Sequence, residues 1–330
     1  MRRLLIAAAA STAAAVVLSA CGTTEPAKPS VEEGKGKPKS EAITLTDATG
    51  TEVKLDGPAK KVVGTEWNVV ENLVTLGVDP VGVADVKGYA AWDDVVPLKN
   101  EPTDIGTRGE PSMDTVASLT PDLIVATSDL PAAAVKQLRK VAPVLTLTSA
   151  DGTDQIGQMT ENLDLIAKAT GTTDRAEALK KDFDATLADA EKQLDEAGLA
   201  GREFAFADGY VVSKQVSIRP YTSTSLIGAV NERIGLKNAW TMEGDKAYGL
   251  ATTDVEGLSK LGDVEFAYIG NENDAASNPF GKELEDNAVW KGLPFVKQGN
   301  VHRLPDGVWM FGGPDSMSAY VDSVVAALTK

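Results

Sequence analysis

Short apolar runs alternate with segments of helical period along most of the chain. The apolar runs have the length of buried strands and lie at residues 61–64, 81–84, 122–127 and 144–148. The helical segments are residues 69–76, 111–119 and 132–141. Residues 43–47 and 52–56 flank a glycine-containing turn, which predicts a hairpin. Strands that alternate with helices predict a mostly parallel sheet with helices on both faces.

The middle of the chain has a helical pattern only. One predicted helix begins near Ile156 and closes near Gly171, and a second covers residues 174–197 with a length of about 35 Å. Asp174 and Glu177 are spaced as a capping box at the start of the second helix. This helix is either a long surface helix of one domain or a connector between two; we interpret it as a connector.

Strands and helices alternate again after the long helix. Strands are predicted at residues 203–207, 211–218 and 265–269, and a helix at residues 225–235. Residues 113–119 also align without gaps on residues 255–261, and each segment precedes an apolar strand. We therefore predict an α/β fold of two lobes with mostly parallel sheets: a first lobe at residues 41–150, a helical region at residues 151–198 and a second lobe at residues 199–330.

The first twenty residues have the pattern of a secretory signal. Arg2 and Arg3 precede an apolar run that is too short to span a bilayer, and the run ends in Leu18-Ser19-Ala20-Cys21. This segment resembles a bacterial lipobox, which implies lipidation at Cys21; an ordinary signal peptide with an incidental cysteine is the alternative. Residues 21–40 are rich in proline, glycine and charge, which predicts a lipidated, disordered tether.

Composition and motifs exclude several classes of function. The chain has 32 basic and 48 acidic residues, a formal charge of −16, which argues against nucleic acid and anionic lipid surfaces as partners. Hydrolase, zinc-protease, P-loop and dinucleotide-binding signatures are missing from the sequence. Cys21 and His302 are the only residues of their types, so a cysteine- or histidine-based metal site is not expected, and His302 is interpreted as a surface or packed residue.

An ordered set of segments resembles the siderophore-binding proteins of ABC importers, the family of ferrichrome- and ferric-citrate-type receptors. The segments are residues 43–56 leading into 61–63, then 76–83, 106–114, 119–124, 236–240, 289–297 and 308–314. The resemblance implies two α/β lobes bridged by a rigid helix, with the ligand between the lobes. It also implies a monomer held outside the cytoplasm by its lipid, which delivers a ferric siderophore to an ABC permease.

Physical chemistry suggests which residues would hold such a ligand. The siderophore supplies the oxygen ligands of Fe³⁺, so no cofactor and no protein metal site are expected. Arginine side chains and aromatic rings at the carboxyl ends of strands would hold the complex. The first candidates are Trp67, Arg108, Arg219, Tyr248 and Trp309. The second choices are Tyr89, Trp92, Tyr210 and Tyr221. Trp240 and Trp290 are expected in the core.

Several alternatives remain at this stage. An enzyme that reuses the fold is one, although no activated nucleophile or acid–base pair stands out. Cobalamin or haem is the alternative ligand within the binding class. A hydroxamate siderophore is favoured because few arginines are predicted at the cleft. The resemblance also implies one acidic residue on each lobe for docking to the permease, and the internal alignment places Asp114 and Glu256 in these positions; both could instead cap their helices.

Overall fold

The computed structural model describes residues 41–330. The predicted signal peptide, the lipidation site at Cys21 and the tether lie outside the described residues. The first elements form the predicted hairpin, in which β1 (Ile43–Thr46) pairs antiparallel with β2 (Glu52–Leu55). Alternate residues of this hairpin, including Leu45 and Val53, are buried against the first lobe, so the period-two pattern gives one packed face.

The first lobe contains a five-stranded parallel sheet in the order β5-β4-β3-β8-β9. Its strands are β3 (Val62–Gly64), β4 (Gly82–Val83), β5 (Thr103–Asp104), β8 (Leu123–Thr127) and β9 (Val144–Leu147). A small hairpin of β6 (Gly106–Thr107) and β7 (Glu110–Pro111) precedes β8. The helices of this lobe are α1 (Trp67–Thr75), α2 (Val86–Trp92), α3 (Met113–Ser118) and α4 (Ala132–Leu138).

Two helices follow, α5 (Gln155–Thr170) and α6 (Thr173–Glu196). Gly171 ends α5 with φ +72°, which is the left-handed conformation that a glycine adopts most readily. The predicted capping box of Asp174 and Glu177 is wrong: α6 begins one residue earlier with Thr172 as N-cap, and no side chain caps it. The Thr172 hydroxyl lies 2.9 Å from that of Thr170 instead, and Asp174 falls in the first turn.

The second lobe contains a mixed sheet in the order β11-β10-β13-β14, and β12 also pairs with β10. Its strands are β10 (Glu203–Val212), β11 (Gln215–Pro220), β12 (Lys237–Asn238), β13 (Glu265–Tyr268) and β14 (Val301–Arg303). Only the β10–β11 pair is antiparallel. The helices are α7 (Leu226–Arg233), α8 (Lys282–Glu285), α9 (Ala288–Gly292), α10 (Pro294–Gln298) and α11 (Pro314–Leu328), with short 3₁₀ turns at Gly257–Lys260 and Ala275–Ser277.

The predicted strand at residues 211–218 is wrong, because the chain turns in its middle. Ser213 and Lys214 have φ values of 51° and 67°, so they form a tight hairpin turn between β10 and β11. As a result Arg219 lies within β11, opposite Asp208, and does not follow a strand as expected.

Helix α6 supplies side chains to one hydrophobic cluster in each lobe. Ala176 and Leu179 pack in the core of the first sheet. Phe183 and the apolar residues after it, Leu187, Ala190 and Leu194, pack in the core of the second lobe. The prediction of two α/β lobes joined by one long helix is therefore confirmed.

The internally aligned segments occupy comparable places in the two lobes. The first forms most of α3, before β8; the second contains the 3₁₀ turn before β13. Residues 41–330 belong to one compact unit, and none of their helices is both long and apolar enough to cross a bilayer.

Candidate functional site

A cleft of about 500 Å³ lies where the carboxyl ends of both sheets meet. In the first sheet the chain passes from β3 to β4 and β5 on one side, and then returns to β8 and β9 on the other side of β3. Strands β3 and β8 therefore flank a topological switch point. Glu66 and Trp67 follow β3, and Asp129 follows β8. From the second lobe come Asp208 and Arg219, together with the loops that hold Tyr248 and Trp309.

Eight of the nine predicted ligand-binding residues line this cleft. They are Trp67, Trp92, Arg108, Tyr210, Arg219, Tyr221, Tyr248 and Trp309. The exception is Tyr89, which is fully buried in α2 and donates its hydroxyl to the Val96 carbonyl at 2.5 Å. The structure therefore places Tyr89 in the core, because its side chain lies on the inner face of its helix.

Arg108 lies at the tip of the β6–β7 hairpin, beside the first residues of α1. Its Nη1 donates to Glu66 Oε1 at 2.7 Å, and its guanidinium carbon lies 4.0 Å from the ring centroid of Trp67. Glu66 is the N-cap of α1 and accepts from the Trp67 amide. The Trp67 indole donates to the Ala84 carbonyl and is only 4% exposed, so Trp67 supports the guanidinium more than it faces the cleft.

Arg219 forms the corresponding arrangement in the second lobe. It donates through Nε (2.8 Å) and Nη2 to the two oxygens of Asp208, its cross-strand partner. The buried Tyr221 hydroxyl donates to the same carboxylate at 3.0 Å. Burial acts to lower the pKa of Arg219, but Tyr221 and Asp208 outweigh it and raise that pKa. Each lobe thus contributes one arginine held by one carboxylate and one buried ring.

A chain of aromatic rings crosses the cleft. Trp67 contacts Trp309, Trp309 contacts Phe311, and Phe311 contacts Tyr248, at centroid distances of 4.8, 5.2 and 5.5 Å. At the far end, the Tyr248 hydroxyl donates to Asp129, a residue of the other lobe. Burial, and then the Asp129 carboxylate, raise the pKa of Tyr248. Edge-to-face contacts of this kind hold the rings in fixed positions, which gives a rigid apolar wall.

Residues 62–308 match the family described as periplasmic binding protein. The chain belongs to that family. Among relatives, it is 26% identical over 295 residues to the Fe(3+)-citrate-binding protein YfmC of Bacillus subtilis, with 89% of this chain and 87% of that protein covered. It is 23% identical over 264 residues to the iron(3+)-hydroxamate-binding protein FhuD of Escherichia coli, with coverages of 79% and 84%.

Solved structures share the fold of this periplasmic binding protein. FhuD from Vibrio cholerae with bound Fe3+-Desferal superimposes with a TM-score of 0.73 at 23% identity, covering 82% of this chain and 98% of that one. FeuA from Bacillus subtilis, complexed with ferri-bacillibactin, gives a TM-score of 0.70 at 19% identity, with coverages of 87% and 98%. At these identities the similarity establishes the fold alone.

Sequence reasoning missed the acidic residues of the cleft. Glu66, Asp129, Asp208 and Asp274 all line it, as do Asn68 and Phe311. Glu66 could have been found, because it lies two residues after the end of the predicted strand that led to Trp67. Asp208 could not, since its meeting with Arg219 depends on the register of a hairpin whose turn was misplaced.

The remaining predicted residues lie away from the cleft. Trp240 and Trp290 are buried in the core, as expected. His302 lies in β14, where its Nε2 is 2.8 Å from Glu265 Oε2. Asp114 and Glu256 are exposed, the first in the opening turn of α3 and the second just before the 3₁₀ turn at Gly257–Lys260. Among the described residues, no group of three or more potential metal ligands converges.

A pair of buried acids lies where α1 meets α11, behind the cleft. Glu71 on α1 accepts from the Ser316 amide of α11 at 3.0 Å, and Asp93 is fully buried nearby. Burial raises the pKa of both carboxyl groups, and each is raised further by a neighbouring acid, Asp315 for Glu71 and Glu71 for Asp93. The backbone approaches these side chains closely: a Cβ added at Gly312 would lie 2.2 Å from Glu71 Oε2 and 2.6 Å from Ser316 Cβ.

Proposed function

We propose that this periplasmic binding protein captures a ferric siderophore outside the cytoplasm and delivers it to an ABC permease in the membrane. The observation that carries the proposal is the cleft, which presents arginine donors from both lobes and a wall of aromatic rings. A ferric siderophore has the complementary chemistry, because it exposes oxygen atoms around the metal and an apolar skirt. The printed names of the relatives, among them the citrate- and hydroxamate-binding proteins above, support an iron-bearing ligand.

Hydroxamate is the class of siderophore that the cleft favours. The arginines of the cleft, Arg108 and Arg219, are both paired with carboxylates that neutralise them. A triscatecholate complex is strongly anionic and would need unpaired positive charge, whereas three hydroxamates leave the ferric core neutral. The hydroxamate oxygens that bind the iron can still accept hydrogen bonds from the outer edges of the two guanidinium groups.

Haem and cobalamin are less well supported. Haem needs an axial ligand, and His302 is held in β14 by Glu265, away from the residues that line the cleft. Nothing in the names of the relatives cited above points to a corrin or a porphyrin. A role as a binding protein, with no catalytic step, agrees with the family to which the chain belongs.

The proposed location and partner complete this function. Lipidation at Cys21 and a tether over residues 21–40 would hold a monomer at the outer face of the cytoplasmic membrane. Asp114 and Glu256 are proposed as the docking residues of the two lobes, and both are exposed as docking requires. The permease would then contact both lobes at once.

Fluorescence titration tests the proposed function directly. Trp67, Trp92 and Trp309 line the cleft, three of the five tryptophans of the chain, so a bound ferric complex should quench the emission. The protein is titrated with a ferric trihydroxamate, a ferric triscatecholate and ferric citrate, and with each chelator free of iron as the control. We expect saturable quenching that is strongest with the hydroxamate; no saturable quenching with any ferric complex would refute the proposal.

A further inference from the structure

The two acids behind the cleft, Glu71 and Asp93, have no basic partner. Glu71 is 1% exposed and Asp93 is 0% exposed. Neither forms an ion pair with a lysine, arginine or histidine of the described residues. Arg175 of α6 donates to the carbonyl at the end of α1 at 3.2 Å, and to neither acid. The other titratable groups beside the pair are Asp315 on α11 and Tyr89 on α2, and neither of them is a cation.

Two ionised carboxylates are unfavourable in such a site, because burial penalises each charge and the two charges repel each other. The Asp93 side chain lies within hydrogen-bonding reach of Glu71. No other group of the described residues donates to Oε2 of Glu71 or to either oxygen of Asp93. A single proton on the pair removes the repulsion and provides one O–H donor for these unpartnered oxygens.

The surroundings determine which of the two acids holds this proton. Glu71 Oε1 accepts from the Ser316 amide at 3.0 Å, in the first turn of α11, where the helix dipole favours negative charge. Asp93 is the C-cap of α2, at the end of a helix where the dipole disfavours negative charge. Burial, and then the neighbouring Glu71, raise the pKa of Asp93. The negative charge therefore belongs to Glu71 and the proton to Asp93.

We propose that Asp93 is a neutral acid whose hydroxyl donates to Glu71, and that this one proton ties the two lobes together and positions the tryptophans of the cleft. Asp93 and α1 belong to the first lobe, and α11 belongs to the second. Helix α1 begins with Trp67, and the loop before α11 carries Trp309; the two rings lie 4.8 Å apart. Loss of the proton at alkaline pH leaves two repelling charges between the helices that hold these rings. The role goes beyond the proposed function, because it does not depend on which ligand the cleft binds.

Infrared spectroscopy of the full protein tests the protonation of Asp93. A neutral carboxyl group has a C=O band separate from those of ionised carboxylates, and at about pH 8 exposed carboxyl groups are ionised. We expect one such band in the folded wild-type protein, its loss in Asp93→Asn and its retention in Asp94→Asn, which alters the exposed neighbour. Absence of the band from the wild-type protein, or its persistence in Asp93→Asn, would overturn the proposal.

Near-ultraviolet circular dichroism of the ligand-free protein tests the positioning role. Asp93→Ala removes the donor to Glu71, so we expect loss of much of the tryptophan signal from the contact between Trp67 and Trp309. Asp93→Asn should retain that signal, because its amide still donates to Glu71, and Asp94→Ala is the exposed control. Should Asp93→Ala fail to fold, Asp93→Ser serves the same purpose. A wild-type spectrum in a folded variant without the donor would show that the proton does not position the rings.

Discussion

Asp208 and Arg219 face each other across the β10–β11 pair, and the carboxylate of one receives two hydrogen bonds from the guanidinium of the other. The Tyr221 hydroxyl completes the group from within the core. The register of this hairpin thus fixes the direction in which one of the two cleft arginines points. Glu66 holds Arg108 in a similar manner, but these two residues do not lie on paired strands.

The buried hydroxyl of Tyr221 should contribute to stability. Tyr221→Phe keeps the ring but removes the donor to Asp208, so we expect a loss of about 1 kcal/mol in the free energy of unfolding. Denaturant titration measures this loss. Tyr210→Phe is the matched control on the same hairpin, because Tyr210 is 43% exposed, and its effect should stay within about 0.5 kcal/mol. Equal effects of the two changes would contradict a structural role for the Tyr221 hydroxyl.

Removal of the Arg108 side chain should weaken ligand binding without unfolding the protein. Arg108→Ala deletes a charge-assisted donor at the cleft, and we expect a loss of about 1.5–3 kcal/mol in the binding free energy of the ferric siderophore. Calorimetry measures the affinity. Arg139→Ala is the control, since Arg139 is also paired with a carboxylate, that of Asp47, but lies outside the cleft. Unchanged affinity with an unchanged melting temperature would show that Arg108 does not contact the ligand.

The buried acids behind the cleft should make the protein less stable at alkaline pH. The pKa of Asp93 is raised by burial and by Glu71, so the folded state binds its proton more tightly than the unfolded state does. The contribution of Asp93 to the free energy of unfolding is therefore largest below its unfolded pKa, near 4. This contribution is lost as the pH rises toward the folded pKa.

Asp93→Asn removes this proton linkage and keeps the shape of the side chain. We expect the melting temperature of the variant to fall less than that of the wild-type protein between about pH 5 and pH 9. This interval lies between the unfolded pKa of Asp93 and its raised folded pKa. Asp94→Asn is the adjacent control, because Asp94 is exposed and should leave the pH profile unchanged. A wild-type pH profile in the Asp93 variant would contradict the shift.

Charge reversal at the proposed docking residues should separate binding from transport. Asp114→Lys/Glu256→Lys alters two exposed residues that do not line the cleft, so the affinity for the ferric siderophore should be unchanged. Uptake of iron from that siderophore should be lost in cells that carry the cognate permease. Exposed Asp182→Lys and Asp322→Lys together form a control of the same charge. Normal uptake by the docking variant would end this assignment.

The fold could be predicted because its elements are local. Apolar runs such as residues 122–127 and the periodic residues of α6 determine a buried strand or a helix face without reference to distant partners. The turn at Ser213 and Lys214 could not be found, because neither residue is a typical turn former with positive φ. Val212 and Val216 also stand close on either side and continue the apolar pattern of a strand. The misplaced turn concealed the pairing of Asp208 with Arg219.

Candidate residues of the cleft were predictable where they follow strands. Trp67 and Arg108 stand in short segments after strands, and parallel strands bring such segments to one edge of a sheet. Tyr89 has a similar position in the chain but points inward from α2, a direction that the spacing alone did not reveal. The pairing of Asp129 with Tyr248 joins residues 119 positions apart, and no local pattern specifies such a contact.

Helix α6 has a further consequence for how the protein unfolds. Leu179 packs in a hydrophobic core of the first lobe, and Phe183, about one turn later, packs in a core of the second lobe. Neither core can lose its order without exposing part of a helix on which the other depends. Melting should therefore be a single cooperative transition, and amide hydrogens of both sheets should exchange through the same global opening. In this sense two hydrophobic cores share one folding unit.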